Sequence, residues 1–449
     1  MTELKSFFAP ASIAVIGASQ KQGKLGHEIL KNIIDARFKG KIYPINPKAD
    51  EILGLKCYTS VKDVPDEVEL VVIIVPARFV PSIISDCSSR GTKAAVVISG
   101  GFGETGAAGA ELERQLVEAA RKSKIRVVGP NCQGINSTSA GLCASWPLVK
   151  TKGPISVVSQ SGTLLAAVAC WAEEDGIGID KAAALGNKCD VDETELLEYL
   201  VADDNTKVVA LYIEGLSDGR NFFNVARTTA QKKPVLVLKG GRTLKGAEAV
   251  ASHTRSLSGN DVIFDSVFKK LGIRRTSSVE DLYDACKGFA SLPSPKGKNV
   301  AVVTSSGGSG ILAVDACEEL GLNVITLPVS VHDRMAEKLP SECILRNPID
   351  LTGSATTQMY DEVLSELTKL NEVDSVIVIV GDPMPGVSEV IARYISKGKT
   401  IIPIMLGGGK VEEEEKAKLR EMKLPHYPSP VRGAKALAAM AHYSSGTMQ

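Results

Sequence analysis

Short unbroken apolar runs recur along this chain, each closed by a turn rich in glycine or serine and followed by a stretch of helical periodicity. The first run, Ser12–Ile16, leads into Gly17-Ala-Ser-Gln-Lys-Gln-Gly23-Lys-Leu-Gly26 and a helix predicted over 27–35. Further runs lie at 41–45, 70–75, 94–98 and 126–128, with helical stretches such as 107–122 between them. These runs lack the apolar/polar alternation of a strand with one wet face. They predict parallel strands covered on both sides by helices, a sheet whose ligands bind at the carboxyl ends of the strands.

A soft boundary at 140–154 precedes a second series, which opens with Ile155-Ser-Val-Val-Ser159, the turn Gln160-Ser-Gly-Thr163 and a helix predicted over 164–174. Its later strands are expected at 181–185, 208–213 and 234–239; the second of these ends in Glu214-Gly215 and the third in Gly240-Gly241. The Pro- and Ser-rich stretch Ser291–Lys298 reads as a linker. Beyond it, Val302-Val-Thr-Ser-Ser306-Gly-Gly repeats the pattern of Val157-Val-Ser-Gln-Ser161-Gly, and strands are expected at 324–327, 376–380 and 400–406. The chain is therefore expected to be α/β, in three consecutive domains over 1–140, 150–290 and 298–449. Glu412–Glu415 reads as the solvated start of a helix.

Composition narrows the classes. The 449 residues are 44% hydrophobic and 23% charged, as in soluble globular proteins, and 52 basic residues balance 52 acidic ones, so no global field points to nucleic acid or an anionic membrane. The longest apolar run, Leu70–Ala77, is too short to span a bilayer. Nine cysteines, an odd number with no Cys-x-x-Cys, fit reduced thiols, and Pro10 interrupts the apolar stretch 7–18, so no targeting segment is expected and a cytoplasmic location is. No metal-ligand spacing is present.

Candidate chemistry lies in the loops after the strands. Gly17-Ala-Ser19, Asn46-Pro-Lys48, Val75-Pro-Ala-Arg78, Ser99-Gly-Gly-Phe102 and Gly129-Pro-Asn-Cys-Gln-Gly134 offer backbone N–H groups, Lys48 and Arg78 to a phosphorylated cofactor. The glycine spacing departs from Gly-x-Gly-x-x-Gly, and Lys48 stands where an NAD site needs an acid, which disfavours an NAD-dependent oxidoreductase. The helix start at Ser159, Ser161 and Thr163 suits a phosphate as well as it suits a simple N-cap. His253 is one of five histidines and sits in a small-residue loop among Ser252, Thr254, Ser256 and Ser258, hydroxyls suited to an anion.

Five features in this order resemble the ADP-forming acyl-CoA synthetases, relatives of succinyl-CoA synthetase: the first turn with Ile98-Ser-Gly-Gly-Phe102, Gly129-Pro-Asn131, Ser159-Gln-Ser-Gly-Thr163, Glu214-Gly215 and Ser252-His-Thr254. The resemblance spans nearly the whole chain. It implies a Rossmann-like CoA-binding domain followed by two flavodoxin-like domains, with CoA held by Gly17, Ala18, Ser19, Lys24, Gly26, Lys48, Val75, Pro76, Arg78, Ser99, Gly100, Gly101 and Asn131. It implies that His253 is transiently phosphorylated, that Glu214 hydrogen-bonds its imidazole, and that phosphate is held by Ser159, Gln160, Ser161, Gly162 and Thr163 and by the repeated start Ser306, Gly307 and Gly308. Arg255 and Ser258 depart from the family's loop, which reads Ser-His-Thr-Gly-Ser-Leu-Ala-Gly.

No stretch up to Gln449 reads as an ATP-grasp fold or a Gly-x-x-x-x-Gly-Lys-Ser/Thr loop. By resemblance the chain is expected to be the α subunit of the archaeal two-subunit type. It would work with a separate ATP-grasp β subunit, as α2β2, that holds ADP or ATP with Mg2+. The implied reaction is acyl-CoA, ADP and phosphate to carboxylic acid, ATP and CoA, with acetyl as the expected acyl group. A CoA- or nucleotide-sensing scaffold of the same fold, without turnover, is the alternative.

Overall fold

The computed structural model describes residues 2–254, 259–382 and 384–446. The chain forms two compact units, Met1–Glu174 with Gly178–Val279, and Asp175–Ile177 with Glu280–Gln449.

The first unit holds two main sheets. In the first, β1 (Ser12–Ile16) and β2 (Lys41–Ile45) are followed by a small ribbon, β3 (Glu51–Ile52) and β4 (Leu55–Lys56), and then by β5 (Leu70–Ile73), β6 (Ala94–Val97) and β7 (Arg126–Val128). The main strands lie in the order β2-β1-β5-β6-β7, and every pairing is parallel. All residues of β1, β5 and β6 are buried, as their continuous apolar runs require.

The second sheet takes β8 (Ile135–Ser137), β9 (Leu142–Ala144), β10 (Lys152–Ser159), β11 (Ile179–Ala184), β12 (Val208–Ile213), β13 (Val235–Lys239) and β14 (Arg274–Thr276), in the order β14-β13-β12-β10-β11-β8-β9. Here β8 runs antiparallel to both β11 and β9, so the short apolar segments at 135–144 extend this sheet, a pairing that periodicity did not reveal. Backbone bonds from Val191 N–H to Val127 O (3.0 Å) and from Cys189 N–H to Gly129 O (3.0 Å) join the chain after β11 to the edge of the first sheet. Arg126, paired with Asp190 (3.0 Å) and Glu195 (2.9 Å), reinforces the join.

The second unit carries β15 (Asn299–Thr304), β16 (Asn323–Val324), β17 (Ile349–Asp350), β18 (Ser375–Val380) and β19 (Thr400–Met405). Their order is β16-β15-β18-β19, with β17 also on β15 and all pairings parallel. The edge strand expected over 324–327 stops at Val324, where the Asn347 side chain comes between the strands, its Oδ1 accepting from Val302 N–H (2.9 Å) and its Nδ2 donating to Ile325 O (2.8 Å).

Two expectations are corrected. Glu412–Glu415 lies inside the helix Gly409–Glu421, and Glu412 and Glu415 are buried rather than solvated. The Glu415 carboxylate accepts from the N–H groups of Gly386 (3.0 Å) and Ser388 (2.9 Å), free donors at the start of the helix Val387–Ser396. The small-residue stretch before His253 is helical over Leu244–Thr254 rather than a loop, since Ala247, Ala249 and Ala251 favour helix and offset the glycine at 246. No described helix is long and apolar enough to cross a membrane.

Candidate active site

At the carboxyl edge of the first sheet the predicted loops close on one another. Gly17 has φ +92°, a left-handed conformation that suits glycine, and an added Cβ would overlap the carbonyl oxygen of Ile74 and lie 3.1 Å from Val75 Cγ1. Gly26, in the first turn of the helix Leu25–Asp35, presses on the same turn: a Cβ there would overlap the Gly17 carbonyl oxygen and stand 3.2 Å from Ala18 Cα. Asn46 Nδ2 donates to Ala18 O (2.7 Å) and its Oδ1 accepts from Lys48 N–H (2.9 Å), which ties the β2 loop to the first turn. Ser99 Oγ donates to Val75 O (2.5 Å) and accepts from Val75 N–H (3.0 Å), and Ser99 O accepts from Asn131 N–H (2.9 Å).

Thus Gly17, Ala18, Ser19, Gly26, Val75, Pro76, Ser99, Gly100, Gly101 and Asn131 come together along one edge. Lys24, Lys48 and Arg78 are exposed beside it, Arg78 stacked at 4.7 Å on the half-exposed Phe79 ring. Exposed cations beside a glycine-rich edge form a surface for phosphate groups.

The sequence reading missed a polar cluster here. Glu104 Oε1 accepts from the N–H groups of Gly101 (2.5 Å) and Phe102 (3.1 Å), while Asn187 Nδ2 donates to Glu104 (2.6 Å) and Glu113 (2.8 Å). Burial works against the Glu104 charge, but the hydrogen bonds from Asn187, Gly101 and Phe102 outweigh it and hold the carboxyl below its usual range. Asn187 also meets Asn131 (3.3 Å). The only sequence signal was Gly186, where a Cβ would overlap the carbonyl oxygens of Pro130 and Asn131.

The edge continues into the second sheet. Gln133 lies at the end of the Gly129–Gly134 loop, just before Gly134, and a Cβ added at Gly162 would lie 2.8 Å from Gln133 Cβ. Gly162 is the first residue of the helix Gly162–Glu174, whose opening N–H groups are unclaimed by the helix itself. Ser159 Oγ donates to Ser161 O (2.6 Å) and accepts from Ser161 N–H (3.1 Å), and Ser161 Oγ accepts from Leu164 N–H (3.4 Å), so the serines shape the turn around that start.

Gln160 is buried, and its Oε1 accepts from Glu214 N–H and from Gly215 N–H (3.2 Å). Glu214 is 6% exposed, and its Oε1 accepts from Tyr212 OH (3.4 Å). Burial pushes the Tyr212 phenol up to about 12, with Glu214 adding to the shift, so the phenol stays protonated and donating. Lys188 supports the Glu214-Gly215 turn from below, donating to Gly215 O (2.6 Å) and pairing with the buried Glu193 (2.9 Å).

His253 is the penultimate residue of the helix Leu244–Thr254. The readings that rest on its side chain, on Thr254, and on Arg255, Ser256 and Ser258 lie outside the described residues. In the second unit, Ser306 precedes the helix Gly307–Glu319; its N–H donates to Thr304 Oγ1 (2.8 Å) and its Oγ to Ser309 Oγ (3.0 Å), the same strand–turn–helix shape as at Ser161.

Three family models match the chain: a CoA binding domain over residues 11–138, a succinyl-CoA ligase like flavodoxin domain over 152–289 and a Ligase-CoA domain over 300–435. The Pyrococcus furiosus acetate–CoA ligase [ADP-forming] I subunit alpha is 40% identical, the alignment covering 98% of each chain. The chain belongs to the ADP-forming acetate–CoA ligase family. A second member, the Methanocaldococcus jannaschii enzyme, is also 40% identical, but the match covers 98% of this chain and only 63% of that one. Among solved structures, an acetyl-coenzyme A synthetase from Ca. Korarchaeum cryptofilum, in complex with phosphate and ADP, superposes with a TM-score of 0.93 at 38% identity, over 100% of this chain and 98% of that one. The α/β fold expected from the apolar runs, and the CoA-binding domain followed by two ligase-type domains that the resemblance implied, are both found in the matched family models and in the superposed structure.

Proposed function

We propose that this chain is the CoA-binding and phosphohistidine-bearing subunit of an ADP-forming acyl-CoA synthetase, with acetyl as the acyl group, and that residues 1–140, 150–290 and 298–449 are its three domains. The reading is carried by one observation. The loop that closes the first sheet's edge ends in Gln133, which packs on Gly162, the start of the helix next to Gln160 and Glu214. A thioester laid along Gly17, Lys48, Arg78, Ser99 and Asn131 therefore has its acyl end beside free helix N–H groups fit to hold phosphate.

A phosphate oxygen attacks the thioester carbonyl carbon; the C–S bond breaks and the CoA thiolate leaves and takes a proton. A neutral imidazole nitrogen of His253 then attacks the phosphorus of the acyl phosphate, and the carboxylate departs with the P–O bond electrons. Glu214 accepts from the other ring N–H, which fixes the tautomer and steadies the positive charge the ring gains. Ser159, Gln160, Ser161, Gly162 and Thr163 hold the phosphoryl group at this stage, and Ser306, Gly307 and Gly308 form a second phosphate-binding start. An oxygen of the ADP β-phosphate finally takes the phosphoryl group from the histidine. ADP with Mg2+ sits on an ATP-grasp β subunit in an α2β2 assembly. Relatives named as alpha subunits support a separate partner.

The test is labelling with ATP labelled in its γ-phosphate, in the presence of the partner. Acid-labile, base-stable phosphate on the chain, lost in His253→Asn, is expected. Label that survives this substitution moves the phosphoryl carrier elsewhere.

A further inference from the structure

Lys239 is a cation with no place in the chemistry above. It ends the apolar strand β13, Val235-Leu-Val-Leu-Lys239, and is 2% exposed. A buried ammonium is costly unless its protons find acceptors, and core packing alone would put another aliphatic residue at this position.

Its Nζ donates to Glu214 O (2.8 Å) and to the carbonyl of Gly240. These are the last turns of two adjacent strands, since Ile213 pairs with Lys239 across β12 and β13. The first acceptor belongs to the Glu214-Gly215 turn, and the second opens Gly240-Gly-Arg-Thr243, which leads into the helix bearing His253. On its other side the ammonium stands 4.8 Å from the centre of the Phe264 ring. Phe264 lies in the helix Asp261–Leu271, and a Cβ added at Gly259 would sit 2.9 Å from its Cε2, so the ring packs on the chain just after the His253 segment. One ammonium thus touches the Glu214 turn, the entry to the His253 segment and the packing at its exit.

We propose that Lys239 is a positioning residue for phosphoryl transfer, holding the Glu214 turn against both ends of the segment that carries His253. The proposal rests on the phosphohistidine reading. Its geometry also suits the charges that reading brings in, because a phosphohistidine beside Glu214 gathers negative charge in a dry site where a fixed cation behind the turn is strongly felt. The charged groups facing the ammonium are Asp261 from the following helix, Arg275 from β14 and Glu214 just after β12, whose carboxylate accepts from Tyr212 OH; Asp261 and Arg275 pair with each other at 2.5 Å. Burial lowers the ammonium to about 8, while Asp261 draws it upward, so the tie is charged at neutral pH and is lost as the pH rises past that value.

The experiment follows transfer of labelled phosphate from acetyl phosphate to the chain, in complex with its ATP-grasp partner, for wild type, Lys239→Met and Lys239→Arg, with CoA affinity measured beside it. Lys239→Met is expected to slow labelling by about tenfold or more, the effect of losing charge-assisted bonds that align reacting groups. CoA affinity should be unchanged and Lys239→Arg should recover part of the rate. The wild-type rate should fall above pH 8 and the Met variant should lack that limb. Labelling at the wild-type rate in Lys239→Met, or the same alkaline limb in it, overturns the proposal. If wild type takes no label, the phosphohistidine reading fails and hydrogen exchange judges the tie: faster exchange at Gly215, Gly240 and Gly241 in Lys239→Met upholds it, and equal exchange overturns it.

Discussion

Gly26→Ala sets a favourable local effect against an unfavourable packing effect, and the structure gives the sign. Alanine is the better helix former by about 1 kcal/mol in a helix interior and by less in the first turn, where Gly26 lies. Propensity alone therefore predicts a slightly stiffer, more stable protein. The new methyl group would overlap the Gly17 carbonyl oxygen, 3.0 Å from its carbon and 3.2 Å from Ala18 Cα, where carbon atoms settle at about 3.5 to 4.0 Å. Its neighbours are backbone atoms, so relief requires the helix or the turn to move by roughly 0.5 to 1 Å, and crowding of this kind costs about 1 to 3 kcal/mol. Packing wins, and a net loss of about 1 to 2 kcal/mol is expected. The moving part is the turn proposed above to face CoA, where displacement on the order of 1 Å can cost up to about a hundredfold in binding or rate. Urea unfolding gives the first quantity and titration calorimetry with CoA the second, with Gly219→Ala as control, since nothing lies within 4 Å of a Cβ at that helix start. Gain of stability with unchanged CoA affinity in Gly26→Ala would refute both the close approach and the placing of CoA against this turn.

Three further outcomes are expected. His253→Asn should bind CoA as wild type does but lose nucleotide-linked turnover, read as CoA release from acetyl-CoA with ADP and phosphate; retained turnover excludes a phosphohistidine at this position. Glu214→Gln is nearly isosteric and should fold, yet lower histidine labelling at least about tenfold, the equivalent of one charge-assisted hydrogen bond of about 1.5 to 3 kcal/mol; undiminished labelling would leave Glu214 a purely structural role. In the second unit, burial, with help from the Lys287 cation, lowers His426 to about 4, against the opposing pull of Asp175 at 3.9 Å. The unfolded chain, with histidine near 6.5, binds more protons between these values, so stability should fall as the pH drops from 6.5 to 4, by about 3 kcal/mol in all; a urea titration series in which His426→Gln keeps the full slope would assign the loss to other groups.

The parallel sheets were legible because a strand buried on both faces must be apolar throughout, and β1, β2, β7 and β12 begin and end where their apolar runs do. Loops after those strands were legible as glycine and serine clusters. Less was visible where a residue's role depends on a partner far along the chain. Glu412 and Glu415 read as solvated charge, yet Glu415 is buried because Gly386 and Ser388 supply N–H groups to its carboxylate. Nothing in the sequence around Asn187 marks it, although it bonds Glu104 and Glu113 more than seventy positions away. Lys239 ended an apolar strand with nothing in its neighbours to mark it. The helix at 244–254 was hidden by Gly246 and Ser252, and alanine propensity decided it.

The link between the first two sheets bears directly on catalysis, because it is made of backbone more than of side chains. Val191 and Cys189 donate to the carbonyls of Val127 and Gly129, and Asn187 N–H donates to Pro130 O (2.9 Å). Gly186 leaves no room for a methyl group against Pro130 and Asn131. Each contact falls on or next to the loop that runs from Gly129 to Gln133 and onto Gly162. A thioester anchored on the first sheet and a phosphate held at the helix start of the second would thus be spaced by short backbone bonds, which yield much less than long side chains do. Attack by phosphate on a thioester needs that spacing held within a fraction of an ångström. Substitutions that loosen this seam, such as Gly186→Ala, should therefore damage acyl phosphate formation before they weaken CoA binding, because in the proposed site CoA rests on the first sheet alone while the reacting atoms span both. Equal losses in CoA affinity and in the rate of CoA release from acetyl-CoA and phosphate would show that the seam stabilises the fold and does nothing further for the reaction.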